Sequence, residues 1–411
     1  GRNIAIGQQA LEDLDAGANA YNIAIGYDCG KQMTTGTNNT IVGGLAGDAI
    51  TEADNNIAIG KSALSSATIG NSNVAIGSLA MTTNVAADRN VAVGHQALQN
   101  MTAASTADHY NVAIGYNAGN QVTSGIYNNI IGGLAGDALT TGTRNVAIGY
   151  RALSAEDTGS HNVAIGHQAL AVADAGADAY NVAIGSSAGV SVTTGTSNTL
   201  IGGLAGDALT TGSSNTCIGY NSGSTLSTGE SNIAIGLNAL DGEDTGSKNV
   251  AIGQSALGAL NFDGNGYNVA VGHDAGKTVT TGLQNVFVGA LAGDALTTGT
   301  SNIAIGYAAM STANGTESRN VAIGQFALFA MDADGNNYNV AIGYDAGKEV
   351  TTGVNNTILG GLSGDAVTTG ADNTLLGNRS GGALTTGVRN VAVGMQALGN
   401  EDAHGYNVAV G

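Results

Sequence analysis

The chain has 411 residues, including 66 Gly and 4 Phe but no Pro or Trp, and only 10% of its side chains are charged. That leaves too few large apolar groups for several wide globular cores, yet 43% of the residues are hydrophobic, which argues equally against wholesale disorder. A net charge of −19, with 12 Lys and Arg scattered singly, argues against nucleic-acid binding.

From Asn3 onward a pentad of the form Asn-Val-Ala-Ile-Gly recurs 24 times, at Asn22, Asn39, Asn56 and so on to Asn407. Most intervals are 17 residues and the rest run from 18 to 21. A spacing this regular is a unit of structure repeated along an axis. Within the pentad the second and fourth residues are usually aliphatic and the third is usually Ala, a period-two alternation that predicts a short strand. The opening Asn is expected to satisfy turn groups and to stack on the same amide one coil away, as at Asn22, Asn111, Asn145, Asn181, Asn232 and Asn302. The closing Gly is expected at a corner.

Seven places after the Asn the residue is Ala in 19 of 23 complete coils, the exceptions being Cys29, Ser222, Ser363 and Ser380. Such uniform smallness predicts a position pressed against another backbone. Six places before the next Asn an aliphatic residue recurs, as in Met33, Val122, Leu139, Val192, Leu209, Val279, Leu296 and Val350, followed by turns such as Thr141-Gly142 and Thr298-Gly299. Each coil therefore reads as strand, corner, second short strand, turn. The predicted fold is all-β: one continuous β-solenoid of about 24 coils over residues 1–411, stable through stacking and open to trimerisation. The two cysteines, Cys29 and Cys217, replace Ala of neighbouring repeats and read as small buried groups.

The run Asn145-Val146-Ala147-Ile148-Gly149-Tyr150-Arg151-Ala152-Leu153, with its Thr-Gly turn, resembles the head repeats of YadA-type trimeric autotransporter adhesins. It is also similar to the repeat stalks of some phage tail-fibre proteins. The adhesin resemblance implies a trimeric left-handed β-roll on a cell surface, and either resemblance implies an extracellular or virion-borne fibre. The chain begins and ends inside repeats, which reads as the ordered portion of a longer polypeptide.

Coils differ in four informative ways. Tyr21, Tyr110, Tyr180, Tyr267, Tyr338 and Tyr406 each precede a pentad, mostly after a longer connection, and delimit blocks 22–110, 111–180, 181–267, 268–338 and 339–406. In the second coil of each block the third pentad position, read as outward, becomes Ile41, Ile130, Leu200, Phe287 or Ile358, with a shared Asp following at Asp48, Asp137, Asp207, Asp294 and Asp365. These residues are candidates for lateral docking, or else mark a local swap in which the second residue turns out and the third turns in. An outer column five places after the Asn carries Tyr27, Tyr116, Tyr150, Tyr220, Tyr307 and Tyr344, which either stack on surface glycans or cover a corner. Acidic loops such as 13–17 and 332–336 offer oxygens to calcium or are simply solvated, and the closing Glu of a calcium loop is absent, so no ligand is assigned.

No repeated nucleophile and base come together in the pattern, no apolar run reaches 18 residues, and no enzyme, cofactor or membrane segment is expected. The expected role is structural, the shaft of an extracellular fibre that self-associates as a homotrimer or filament. A glycan-binding adhesin module is the alternative and ice binding a minor one.

Overall fold

A computed structural model describes residues 1–17, 19–102, 107–313 and 315–411. The described residues contain 24 strands of three residues, from Ile4–Ile6 to Val408–Val410, one per pentad, and no helix. None could therefore contain a helix long and apolar enough to cross a membrane. The chain forms two compact units, Gly1–Leu204 and Ala205–Gly411, and the architecture below holds within each.

Successive strands pair in parallel and in exact register, Val146, Ala147 and Ile148 lying on Val163, Ala164 and Ile165 one coil away. The 19-residue coil obeys the same register, with Val163 on Val182, so the extra residues are absorbed in the connection. This is a parallel β-solenoid with a repeat of about 17 residues. It needs no crossover helix, because each coil returns the chain to the start of the next strand.

The strand faces are reversed relative to the sequence reading. Between the two end strands the third pentad residue points inward and is fully buried, as at Ala58, Ala147 and Ala251, while the second and fourth residues lie outward and partly exposed. Ile41, Ile130, Leu200, Phe287 and Ile358 are accordingly buried to the last few square ångströms and are not lateral contacts. The reason is volume. Eight places after the Asn, coils with an inward Ala usually place a large group such as Leu64, Met81, Leu98, Leu153 or Leu257 in the core. Where the inward residue is large, the same column holds Gly: a Cβ on Gly47 would sit 2.8 Å from Ile50 and 3.2 Å from Ile41, and one on Gly293 would overlap the Phe287 ring. Core volume is thus exchanged between the two columns in these coils. Where both residues are small, as at Ala24 and Gly30, neighbouring coils fill the space: a Cβ on Gly30 would lie 3.1 Å from Leu11 and 3.2 Å from Ile41.

The expected second strand does not form either. Residues six and eight places after the Asn take positive φ, as in Ser62 (54°), Leu64 (53°), Arg151 (54°) and Leu153 (53°), and alternating left-handed residues cannot extend. This leg nevertheless bonds coil to coil, Leu64 N–H donating to Ala80 C=O at 3.0 Å and Leu153 N–H to Ala169 C=O at 3.0 Å. The column of Met33, Val122, Leu139, Val192, Leu209, Val279, Leu296 and Val350 completes the core, fully buried.

Candidate functional site

Three features run along the coils: a buried amide ladder, an apolar outer face, and buried or half-buried carboxylates. The ladder is built from the pentad Asn. Asn145 N–H donates to Asn128 Oδ1 at 3.0 Å while its own Nδ2 donates to Gly159 C=O at 2.9 Å. Asn22, Asn111, Asn181, Asn232 and Asn302 repeat this pattern with partners at 2.7–3.1 Å, and all are buried. Each coil therefore closes its own turn and accepts a backbone donor from the next. In junction coils the amide is diverted: Asn90 donates to Asp88 C=O, Asn320 to Ser318 C=O, and Asn162 Nδ2 finds no partner.

The outer face follows from the reversed strands. The fourth pentad residue is Ile, Val or Leu in all 24 strands, and the second is usually Val or Ile. Members such as Ile25, Ile59, Ile114 and Ile342 are 37–39% exposed even with coils stacked on either side. Two largely aliphatic columns thus run along each unit, the polar residues Thr40, Asn129 and Thr199 interrupting the first unit's and Thr216, Thr357 and Thr374 the second's.

The aromatic column is exposed and partly self-satisfied. Tyr27, Tyr116, Tyr150, Tyr220, Tyr307 and Tyr344 are each about half exposed. Tyr116 stacks on His95 and Tyr150 on His167, both with centroids 5.6 Å apart, and Tyr307 meets the edge of Phe326. Three of the six rings are thus packed against a neighbouring ring while all six keep about half of their surface open.

A second aromatic pattern escaped the sequence reading. One coil before each block-delimiting Tyr, the residue preceding the Asn is cationic or His. Arg2 lies over Tyr21, Arg89 over Tyr110, Lys248 over Tyr267, Arg319 over Tyr338 and Arg389 over Tyr406 at 5.4–5.7 Å, and His161 stacks on Tyr180 at 4.8 Å. Each junction is thus stapled by a cation–π or ring pair. The signal was present as six basic or His residues 17 to 21 places before six tyrosines, visible only once coils are aligned.

The third feature is the carboxylates. Asp48, Asp137, Asp207 and Asp294 are half-buried, each with Oδ1 lacking a hydrogen-bond partner. Burial pushes their carboxyls, and that of Asp365, above the ordinary value of 3.8. Glu156, Glu243 and Glu317 are completely buried. Glu156 and Glu243 occupy the aliphatic column itself, and each turns Oε1 back to accept the N–H three residues on, Gly159 and Gly246, at 2.7 Å. Their other oxygens are unpartnered, and burial raises all three glutamates above the ordinary 4.5. Among the described residues, the acidic loops at 13–17 and 332–336 gather no group of three ligands; Glu156, Asp157 and Asp174 do. Cys29 and Cys217 are free and buried, their thiols pushed up to about 11 and about 12 by burial, so neither is a ready nucleophile.

These shifts have one sign, apart from the exposed Glu401, which its bonds to His404 lower. A carboxyl raised in the folded state binds more protons folded than unfolded. Its stabilisation is therefore complete below the unfolded value, 3.8 for Asp and 4.5 for Glu, and lost as pH rises through the folded value. Self-repulsion of the −19 chain acts the same way. In buffers containing chelator, thermal unfolding is expected at higher temperature near pH 5 than at pH 8; an equal or lower midpoint at pH 5 contradicts this assignment.

The fold and these columns define a repeat protein of the parallel β-solenoid class. No protein-family model and no curated protein matches the chain. The likeness to adhesin head repeats therefore stands on the pentad and turn residues alone.

Proposed function

We propose that this chain is a structural segment of an extracellular fibre, and that it self-associates through the Val/Ile face of its strands. The observation that supports this is the fourth pentad column, aliphatic in every strand and over one-third exposed at many of them. Monomeric proteins rarely leave contiguous apolar surface beyond a few hundred square ångströms. A second copy is the occupant that fits. Its ridges carry the same strand spacing, about 4.8 Å, so side chains interdigitate coil after coil, whereas a globular partner has no such period. Closed symmetry then gives a bundle, and the work of the segment is to span distance and resist unfolding.

The test is substitution on the face. Ile59→Glu with Ile114→Glu places charge in the fourth column and is expected to yield monomer by sedimentation. Ile69→Glu, at a 40% exposed residue outside the strands, should leave the assembly intact. Assembly surviving the double substitution, or lost equally in the control, contradicts the proposal.

A further inference from the structure

Glu156 breaks the core column of aliphatic side chains, and its position is unlike an ordinary buried acid. It is fully buried, and Oε2 has no hydrogen-bond partner. Two further carboxylates lie beside it: Asp157, its chain neighbour, and Asp174, which coil stacking brings from the following 19-residue coil, both exposed. Ligand oxygens of the three lie within 4.8 Å of one another. Three carboxylates at that separation repel unless protonated or bridged by a cation, and a buried unpartnered oxygen leaves one ligand position already desolvated.

We propose that Glu156, Asp157 and Asp174 form a calcium site that clips coil 145–161 to coil 162–180. The donors are hard oxygens, and two of the three carboxylates stand at the surface, where water can complete a shell of six to eight ligands. Calcium tolerates the irregular geometry of three acids drawn from two coils. Magnesium, which requires a near-ideal octahedron, is disfavoured.

The chain contains its own control. The segment Glu243-Asp244-Thr245-Gly246-Ser247 repeats Glu156-Asp157-Thr158-Gly159-Ser160 and buries its Glu in the same column. There the exposed acids are already engaged, Asp244 by the hydroxyl of Ser227 and Asp263 by that of Thr245. Those carboxylates do not gather into a three-ligand group. The same motif therefore predicts binding at one place and not at the other, which a diffuse attraction of calcium to an acidic surface does not.

The experiment is calorimetric titration of the full chain with CaCl2 in about 150 mM NaCl, which screens diffuse surface attraction. One saturable ion per chain is expected, with a Kd on the order of 10⁻⁴ to 10⁻³ M, as for extracellular calcium modules. Glu156→Gln and Asp174→Asn are each expected to weaken it at least tenfold, and Glu243→Gln to leave it unchanged. Asp174 is exposed, so its variant carries the test even if Glu156→Gln fails to fold. The absence of a saturable site, undiminished affinity in Asp174→Asn, or equal loss in Glu243→Gln overturns the proposal. None of these outcomes bears on the apolar face.

Discussion

Gly149→Ala is expected to destabilise its coils by about 4 kcal/mol or more, in the range reserved for severe backbone and packing faults. Two causes act together. Gly149 has φ of +132°, a region that L side chains rarely adopt, and an added Cβ would lie 2.4 Å from Gly166 O and 2.7 Å from its carbonyl carbon. That neighbour is backbone held by the strand ladder, since Gly166 N–H donates to Ile148 C=O at 2.7 Å, so it cannot yield without opening the stack. In a solenoid, stability is nearly a sum of nearest-neighbour terms, so the damage should appear locally as loss of amide protection around coils 145–180. Gly44→Ala is the matched control. No atom lies within 4 Å of its would-be Cβ, and its φ is not positive, so that substitution should be neutral or slightly stabilising. Denaturant midpoints that fall equally for the two variants would show that coil spacing is not what the pentad Gly protects.

Asn145→Ala is the second large effect. It removes the Oδ1 that accepts Asn162 N–H at 3.0 Å and the Nδ2 that donates to Gly159 C=O at 2.9 Å. Both partners lie in the interior of the stack, and orphaning a buried polar group costs about 1–3 kcal/mol. The total should be roughly 2–6 kcal/mol. Asn162→Ala should cost about half as much, because only Oδ1 is used, to accept Asn181 N–H at 3.1 Å, while Nδ2 is already unpartnered. Equilibrium unfolding of the two variants separates the cases. Equal losses would mean that the amide-to-turn bond contributes little.

Most of the architecture was readable from spacing, and the failures have physical causes. The pentad period and its invariant Asn and Gly prescribe stacked short strands, which the in-register pairs display. Alternation, however, fixes only that neighbouring residues face opposite ways, not which way is inward. Hydrophobicity favours Val146 and Ile148 as the buried pair, but the interior is already filled by Leu153 and Leu139, leaving room only for Ala147. The Gly at 47, 136, 293 and 364 was a partial clue, since it accompanies an enlarged third residue in second coils, but Gly stands in the same column beside the inward Ala of first coils, as at Gly30 and Gly119. The second leg was misread as a strand because composition does not reveal the alternating positive φ of residues such as Arg151 and Leu153. Glu156 was legible as a break in an aliphatic column. Its convergence with Asp174 was not, because that depends on how a 19-residue coil folds back over a 17-residue one.

The outward Val/Ile face is the consequence on which the functional reading depends. Sedimentation velocity of the unmodified chain across a wide concentration range tests it most directly. The account predicts a particle whose mass is a multiple of 40.2 kDa, either a closed bundle or a growing filament. A chain that stays at 40.2 kDa at every concentration would contradict it.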